Sequence, residues 1–270
     1  MTLKEFCEKI QLQDELVKKV FELEESFDFA PYKQLINDLT EKEKSEDAYK
    51  ALKEQLGEDP HGITILACYL KAALITYEKY QDLGIDDEIY FDTMKSFTRF
   101  SDECLERQGY LGFVNSFWSY RHLNTNLMRI GALEFERVIR NGVLFISVHI
   151  PSNADLSKEA LDDSFTRARA FLNEKFPECA EAQIYCESWL LYGGLKDVLP
   201  ENSRILGFQS RFDVTRQNNV SKNALTYIFH RADCSDYQSL PEDTSLQRKV
   251  KALLLEGGGV GSAYGILKED

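Results

Sequence analysis

Apolar positions in the first 126 residues recur every three or four places, the spacing of helices with one buried face. Thr2 with Glu5 forms a capping box, so a helix starts at once. Leu12, Leu16, Val20 and Leu23 line a helix across 11–26, and Pro31 suits the first turn of another with Leu35, Ile36 and Leu39 on its face. A polar stretch at 40–59 holds a short helix over 48–56, ended by Gly57. Pro60 opens the most apolar helix, with Ile63, Leu66, Leu70 and Leu74 on one side and Gly84 as its stop. One further helix is predicted over 86–108 and a last one over 113–124.

The period changes near Leu127. Apolar and charged residues alternate up to Arg140, and Asn141-Gly142 is a strong hairpin signal. The run 143–150 is nearly continuous in apolar residues, as in a central strand covered on both faces, and Pro151 breaks it. Ser157 caps a helix reaching Lys175. A strand over 183–189, a short helix from Gly193 to Leu199, strands over 204–214 and 223–231, a helix over 245–256 and a final short strand complete the prediction. The expected class is α/β (α+β overall). An all-α domain over 1–126 is followed by a mixed-sheet domain over 127–270.

Charge sharpens this division. The chain has 270 residues and a net charge of −13. Residues 1–126 carry a net −10 with 12 Lys and 3 Arg; residues 127–270 carry −3 with 7 Lys and 10 Arg. Arginine is the better bidentate partner of phosphate or carboxylate, so an anionic ligand is expected on the second part. The acidic balance argues against nucleic acid as a partner. No apolar run is long enough to span a membrane, and the first residues, charged within four positions, do not read as a signal peptide. Six cysteines without a CxxC pair indicate a reduced, cytoplasmic protein with neither disulfides nor metal.

No sequence motif announces a hydrolase, a zinc site or a phosphate loop. The tail Gly257-Gly258-Gly259-Val260-Gly261 follows a helix instead of opening one, and it lacks the lysine of a P-loop. It reads as a loop passing closely over its surroundings. Of the four histidines, His61 reads as a surface residue and His122 as packed. His149 stands out, at the C-terminal end of the most apolar strand, before a loop and a helix N-terminus, where open α/β sheets place ligands. An imidazole there suits a proton carrier, although a buried structural histidine fits the position equally well.

Five segments carry a family resemblance: Gly131-Ala132-Leu133-Glu134-Phe135-Glu136, Val148-His149-Ile150-Pro151, the stretch from Leu156-Ser157 to Ala168-Arg169-Ala170-Phe171, Cys186-Glu187-Ser188-Trp189-Leu190-Leu191, and Leu206-Gly207-Phe208-Gln209-Ser210-Arg211-Phe212. Together they resemble the bacterial acyltransferase-domain proteins that join a helical N-terminal domain to a GNAT-like C-terminal domain. The resemblance implies an N-acyltransferase with acyl-CoA as donor and an amine, on a small molecule or peptide, as acceptor. It implies a central strand parting from its neighbour, with Ser147, Val148 and Ile150 along the pantetheine arm. It places Ser152, Asn153 and Ala154 of the following loop at the pyrophosphate. His149 is then the candidate base and Tyr192 the candidate acid, with Cys186 and Tyr185 as rivals.

One departure leaves alternatives open. The family's phosphate loop has a Q/R-x-x-G-x-G/A pattern, whereas residues 151–157 contain neither Gly nor Arg, and Asp155 repels phosphate. Another arginine holds the pyrophosphate, or CoA binds weakly, or the chain is a non-catalytic binding protein on the same fold. A third reading makes the acidic helical half an interaction module for a basic partner.

Overall fold

Thr2 starts the first helix as its spacing from Glu5 predicts. The Thr2 hydroxyl accepts from the Glu5 N–H at 3.2 Å, and the Glu5 carboxylate accepts from the Thr2 N–H at 2.7 Å. In this computed structural model, which describes residues 1–231 and 233–268, the chain divides into two units, Met1–Ile130 and Gly131–Asp270.

The first unit runs through α1 (Leu3–Lys9), α2 (Asp14–Ser26), α3 (Lys33–Asp38), α4 (Ser45–Leu56), α5 (Ile63–Asp82), α6 (Asp87–Met94), α7 (Ser96–Gln108), α8 (Ser116–Leu123) and the short strand β1 (Leu127–Ile130). Helix α5 is its hub, packed against α1, α2, α3, α4, α6 and α8. Leu66, Ala67, Cys68, Tyr69 and Leu70 on α5 are all fully buried, as expected of a helix that is apolar nearly all round. Buried hydroxyls find carbonyls: Tyr69 donates to Ser116 O at 2.9 Å and Tyr90 to Ala73 O at 2.7 Å. The stretch 86–108, read from its period as one helix, is two, broken at Lys95. The helix read over 11–26 begins only at Asp14, because Gln11 turns the chain with φ of 58°.

The second unit contains β2 (Leu133–Arg140), β3 (Val143–His149), α9 (Lys158–Lys175), β4 (Gln183–Ser188), α10 (Leu195–Val198), α11 (Arg204–Gln209), β5 (Phe212–Asn218), α12 (Lys222–Phe229), α13 (Ser245–Leu255) and β6 (Ser262–Leu267). The strands of this unit lie in one mixed sheet in the order β2-β3-β4-β6-β5. Asn141 and Gly142 have φ of 52° and 78°, the left-handed pair that a two-residue hairpin turn demands, so Arg140 pairs with Val143. Strand β3 runs parallel to β4; the β2–β3, β4–β6 and β5–β6 pairs are antiparallel. One face of the sheet carries α9, where the Phe165 ring meets Phe135 of β2 and Phe212 of β5.

Three sequence expectations give way here. The segments 204–214 and 223–231, read as strands, begin with helices α11 and α12. Ser203 and Ser221 cap them, accepting from the N–H groups of Ile205 and Ala224. The residues 216–222, read as a linker, open with the last three residues of strand β5, 216–218. Strand β3 is buried only over Ile146, Ser147 and Val148, and Val143 at its start is exposed, so it is not covered along both faces. Helices α10, α12 and α13 enclose a small apolar core of their own, with Leu195, Phe229 and Val250 fully or almost fully buried. The glycine tail does pass closely over its surroundings: a Cβ on Gly261 would lie 1.7 Å from the Asn218 carbonyl oxygen.

Candidate active site

The ladder between β3 and β4 pairs Phe145 with Gln183, Ile146 with Ile184, Ser147 with Tyr185, and Val148 with Cys186, and goes no further. Strand β3 continues to His149 and β4 to Ser188. Beyond Cys186 only the other edge of β4 is paired, Glu187 with Tyr264 and Ser188 with Ala263. A parallel pair therefore stops one residue short of the end of β3 and two short of the end of β4. Main-chain groups on the facing edges beyond that point lie outside the ladder.

His149 stands at this point. Its Nε2 is 2.9 Å from Glu136 Oε2, with side-chain exposures of 21% and 10%. Sequence reasoning missed Glu136, yet the signal was present. Counting back from the two-residue turn at Asn141-Gly142 pairs Glu136 with Ser147 and Glu134 with His149, and diagonal neighbours on one sheet face come within reach of long side chains. Ser147 on the same face hydrogen-bonds the Tyr185 hydroxyl. Burial pushes that hydroxyl's pKa up, and the Ser147 bond acts the other way.

The remaining candidates sit as follows. Val148 and Ser147 are buried, so each has only its main chain to offer along the parting; Ile150 is half-buried. Ser152 and Asn153 are exposed, and the Ala154 N–H donates to Pro151 O at 3.0 Å, closing a turn. Ser157 caps α9 as predicted, accepting from the Ala160 N–H. Asp155 accepts from the Ser157 N–H at 2.9 Å and the Ser157 hydroxyl at 3.0 Å, and these bonds hold its carboxyl below the ordinary range. Arg204 reaches Asp155 at 3.0 Å, and Arg211 reaches Asp162 on the first turn and a half of α9 at 2.5 Å. Neither arginine was marked by the sequence reading, because both arrive from a segment misread as strand.

Tyr192 lies four residues beyond β4, half-buried against the small apolar core, its hydroxyl 3.5 Å from Asn219 Oδ1. Cys186 is fully buried, and desolvation drives its thiol pKa far up. It fills core space on the α9 side of the sheet, so its candidacy as a nucleophile does not survive its surroundings. His61 is exposed and His122 fully buried, as read. Among the described residues, no group of three or more His, Cys, Asp or Glu converges as a metal site requires, and no helix is long and apolar enough to cross a membrane.

Comparison with known proteins adds a family. The GNAT-like C-terminal domain matches residues 127–267, and the N-acyltransferase N-terminal domain matches residues 1–125. Among solved structures, an acyltransferase in complex with decanoyl-CoA and teicoplanin superposes with a TM-score of 0.82 at 20% identity, over 98% of this chain and 87% of that one. An acyltransferase mutant in complex with octanoyl-CoA gives 0.80 at 19% identity, over 99% and 87%. An acyltransferase in complex with CoA and 10C-teicoplanin gives 0.72 at 20% identity, over 99% of both chains. No curated protein matches the sequence.

Proposed function

Because the chain belongs to the family defined by the GNAT-like C-terminal domain, here preceded by an N-acyltransferase N-terminal domain, we propose that it moves an acyl group from acyl-CoA to the amine of a small-molecule or peptide acceptor by direct attack. The observation that carries this reading is the end of the β3–β4 ladder at Val148 and Cys186, with His149 and Glu136 beside it. Fold relatives that hold acyl-CoA and a teicoplanin acceptor support it.

In this reading the pantetheine arm lies along the main chain of Ser147, Val148 and Ile150, where strand pairing has ended. The pyrophosphate meets the turn at Ser152, Asn153 and Ala154 and the positive end of α9. Asp155, the residue that opposes phosphate there, is already engaged by Ser157 and Arg204. Arg204 offsets the negative charge that Asp155 places beside the loop.

The acceptor must present a neutral amine. His149 takes a proton as nitrogen attacks the thioester carbonyl, and Glu136 fixes the ring and stabilises the imidazolium. The C–N bond forms, the C–S bond breaks, and the leaving thiolate takes a proton from Tyr192. The products are an amide and free CoA, and the balance closes when the proton held by His149 returns to Tyr192 through solvent. General-base assistance of this kind is worth roughly 100- to 10,000-fold in rate.

A thermal-shift titration with acetyl-CoA and decanoyl-CoA tests the donor. A ligand at about 100 times its Kd stabilises the folded state by about 2.7 kcal/mol, so a rise of several degrees is expected. An unchanged melting temperature with every acyl-CoA contradicts the reading and favours a binding protein that has lost its donor.

A further inference from the structure

The Tyr192 hydroxyl has one weak tie, a solvent-exposed contact of 3.5 Å to Asn219 Oδ1. That is the outer limit of a hydrogen bond, and a bond of this length in water does not fix a ring. What fixes Tyr192 must act lower down, on the turn from which the ring projects. This turn leaves β4 through Trp189–Leu191 and is extended at Tyr192, with φ of −63° and ψ of 123°, before α10 begins.

A buried amide closes on the turn. Gln209 is the last residue of α11 and is only 5% exposed. Its Nε2 donates to Tyr192 O at 2.8 Å and lies 3.5 Å from Leu190 O. Two carbonyl oxygens on one side decide which end of the amide faces the turn, since Oε1 there would meet two other acceptors. Oε1 therefore points away, and it is buried with no hydrogen-bond partner among the described residues. A buried acceptor left alone costs free energy, so an apolar side chain of the same length would serve packing better. What the amide adds is its N–H on the turn. Its own place is secured by its neighbour: Phe208 is fully buried, its ring centre 5.0 Å from that of Phe212 at the start of β5.

The ring meets a second constraint at Gly194. This glycine has φ of −64° and ψ of −11°, values open to any residue. The backbone does not require it, but the ring does. A Cβ there would lie 2.6 Å from Tyr192 Cε1 and 3.2 Å from the hydroxyl oxygen. We propose that Gln209 is the positioning residue for Tyr192, holding the main chain while Gly194 leaves room for the ring. The inference rests on the transferase reading, in which Tyr192 gives its proton to the leaving thiolate, and it adds the residues that aim that proton. A misplacement of about 1 Å far from the reacting atoms is enough to cost a large factor in rate, and a ring on a slack turn moves by at least that.

Binding of CoA and of desulfo-CoA, in which hydrogen replaces the thiol, tests the assignment without an acceptor. Both are measured by calorimetry on the full chain at pH 9, where thiols ionise. A thiolate accepts the tyrosine hydroxyl and the hydrogen does not, so CoA binds about tenfold tighter. Tyr192→Phe abolishes that preference. Gln209→Met, similar in length and without a donor, abolishes it too, as does Gly194→Ala, which keeps the main-chain bond and displaces only the ring. Desulfo-CoA binds all three variants as it binds the parent protein, a result that a general loosening of the fold does not give. A preference that persists in Gln209→Met or Gly194→Ala overturns the proposal. So does a parallel loss of desulfo-CoA affinity in Gln209→Met, which marks the amide as scaffold alone. Equal binding of the two ligands by the parent protein overturns it as well and leaves the donor site standing. Failure of the parent protein to bind either ligand sinks the transferase reading itself.

Discussion

Glu136 is the residue that changes what His149 can do. An imidazole alone at a strand end has no defined orientation; a carboxylate 2.9 Å away fixes which ring nitrogen faces the reaction. Glu136→Gln keeps the shape and removes the charge. It is expected to lower kcat roughly 10- to 100-fold, by analogy with histidines oriented by outer carboxylates, and to leave the KM for acyl-CoA unchanged; steady-state kinetics with both substrates varied checks the split. His149→Ala, in the same assay, loses the larger factor expected of a general base. The cysteines carry a separate prediction at this scale. Five are buried and Cys234 is half-buried; burial lifts the thiols of Cys7 to about 11 and Cys68 to about 12. Iodoacetamide at pH 8 should label Cys234 first in the folded protein, read by peptide mass spectrometry, and the other five only on unfolding. What the sequence made legible at residue scale was the position of His149, at the end of an apolar strand. Glu136 needed the hairpin register as well, and the burial of Cys186 needed the sheet.

Among elements, the long amphipathic helices and the Asn141-Gly142 hairpin were readable because each repeats a clear period or requires a rare backbone conformation. The segments 204–214 and 223–231 were not. A short apolar run such as Ile205-Leu206-Gly207-Phe208 fits a buried strand and a buried helical turn equally well by period. The deciding signals were the capping serines, Ser203 and Ser221, whose hydroxyls accept from the helix starts. Ser157 plays the same part for α9 and also anchors Asp155. Ser157→Ala is expected to cost about 1 kcal/mol of stability, the usual worth of an N-cap, read as a lower denaturant midpoint. Gly261→Ala puts a methyl group into the Asn218 carbonyl. Overpacking of this kind costs about 1–3 kcal/mol, and with backbone as the obstacle the same unfolding measurement is expected to rank it below Ser157→Ala in stability.

For the whole molecule, the uneven charge was the most informative feature of composition. A chain with a net charge of −13 nevertheless keeps most of its arginines in the half that carries the sheet. Arg204, Arg211 and Arg216 each do something different there: one meets the loop before α9, one meets α9 itself, and one lies over Tyr264. Composition pointed to the half, and only folding sorted the individual roles, since a helix cap and a strand bulge set their directions. The central claim concerns the parting of β3 from β4 as the channel for the acyl donor. Amide hydrogen exchange of the full chain, with and without decanoyl-CoA, tests it most directly. The account predicts new protection concentrated over 148–157, the end of β3 and the loop leading into α9. Protection that appears elsewhere while those amides exchange unchanged would contradict it.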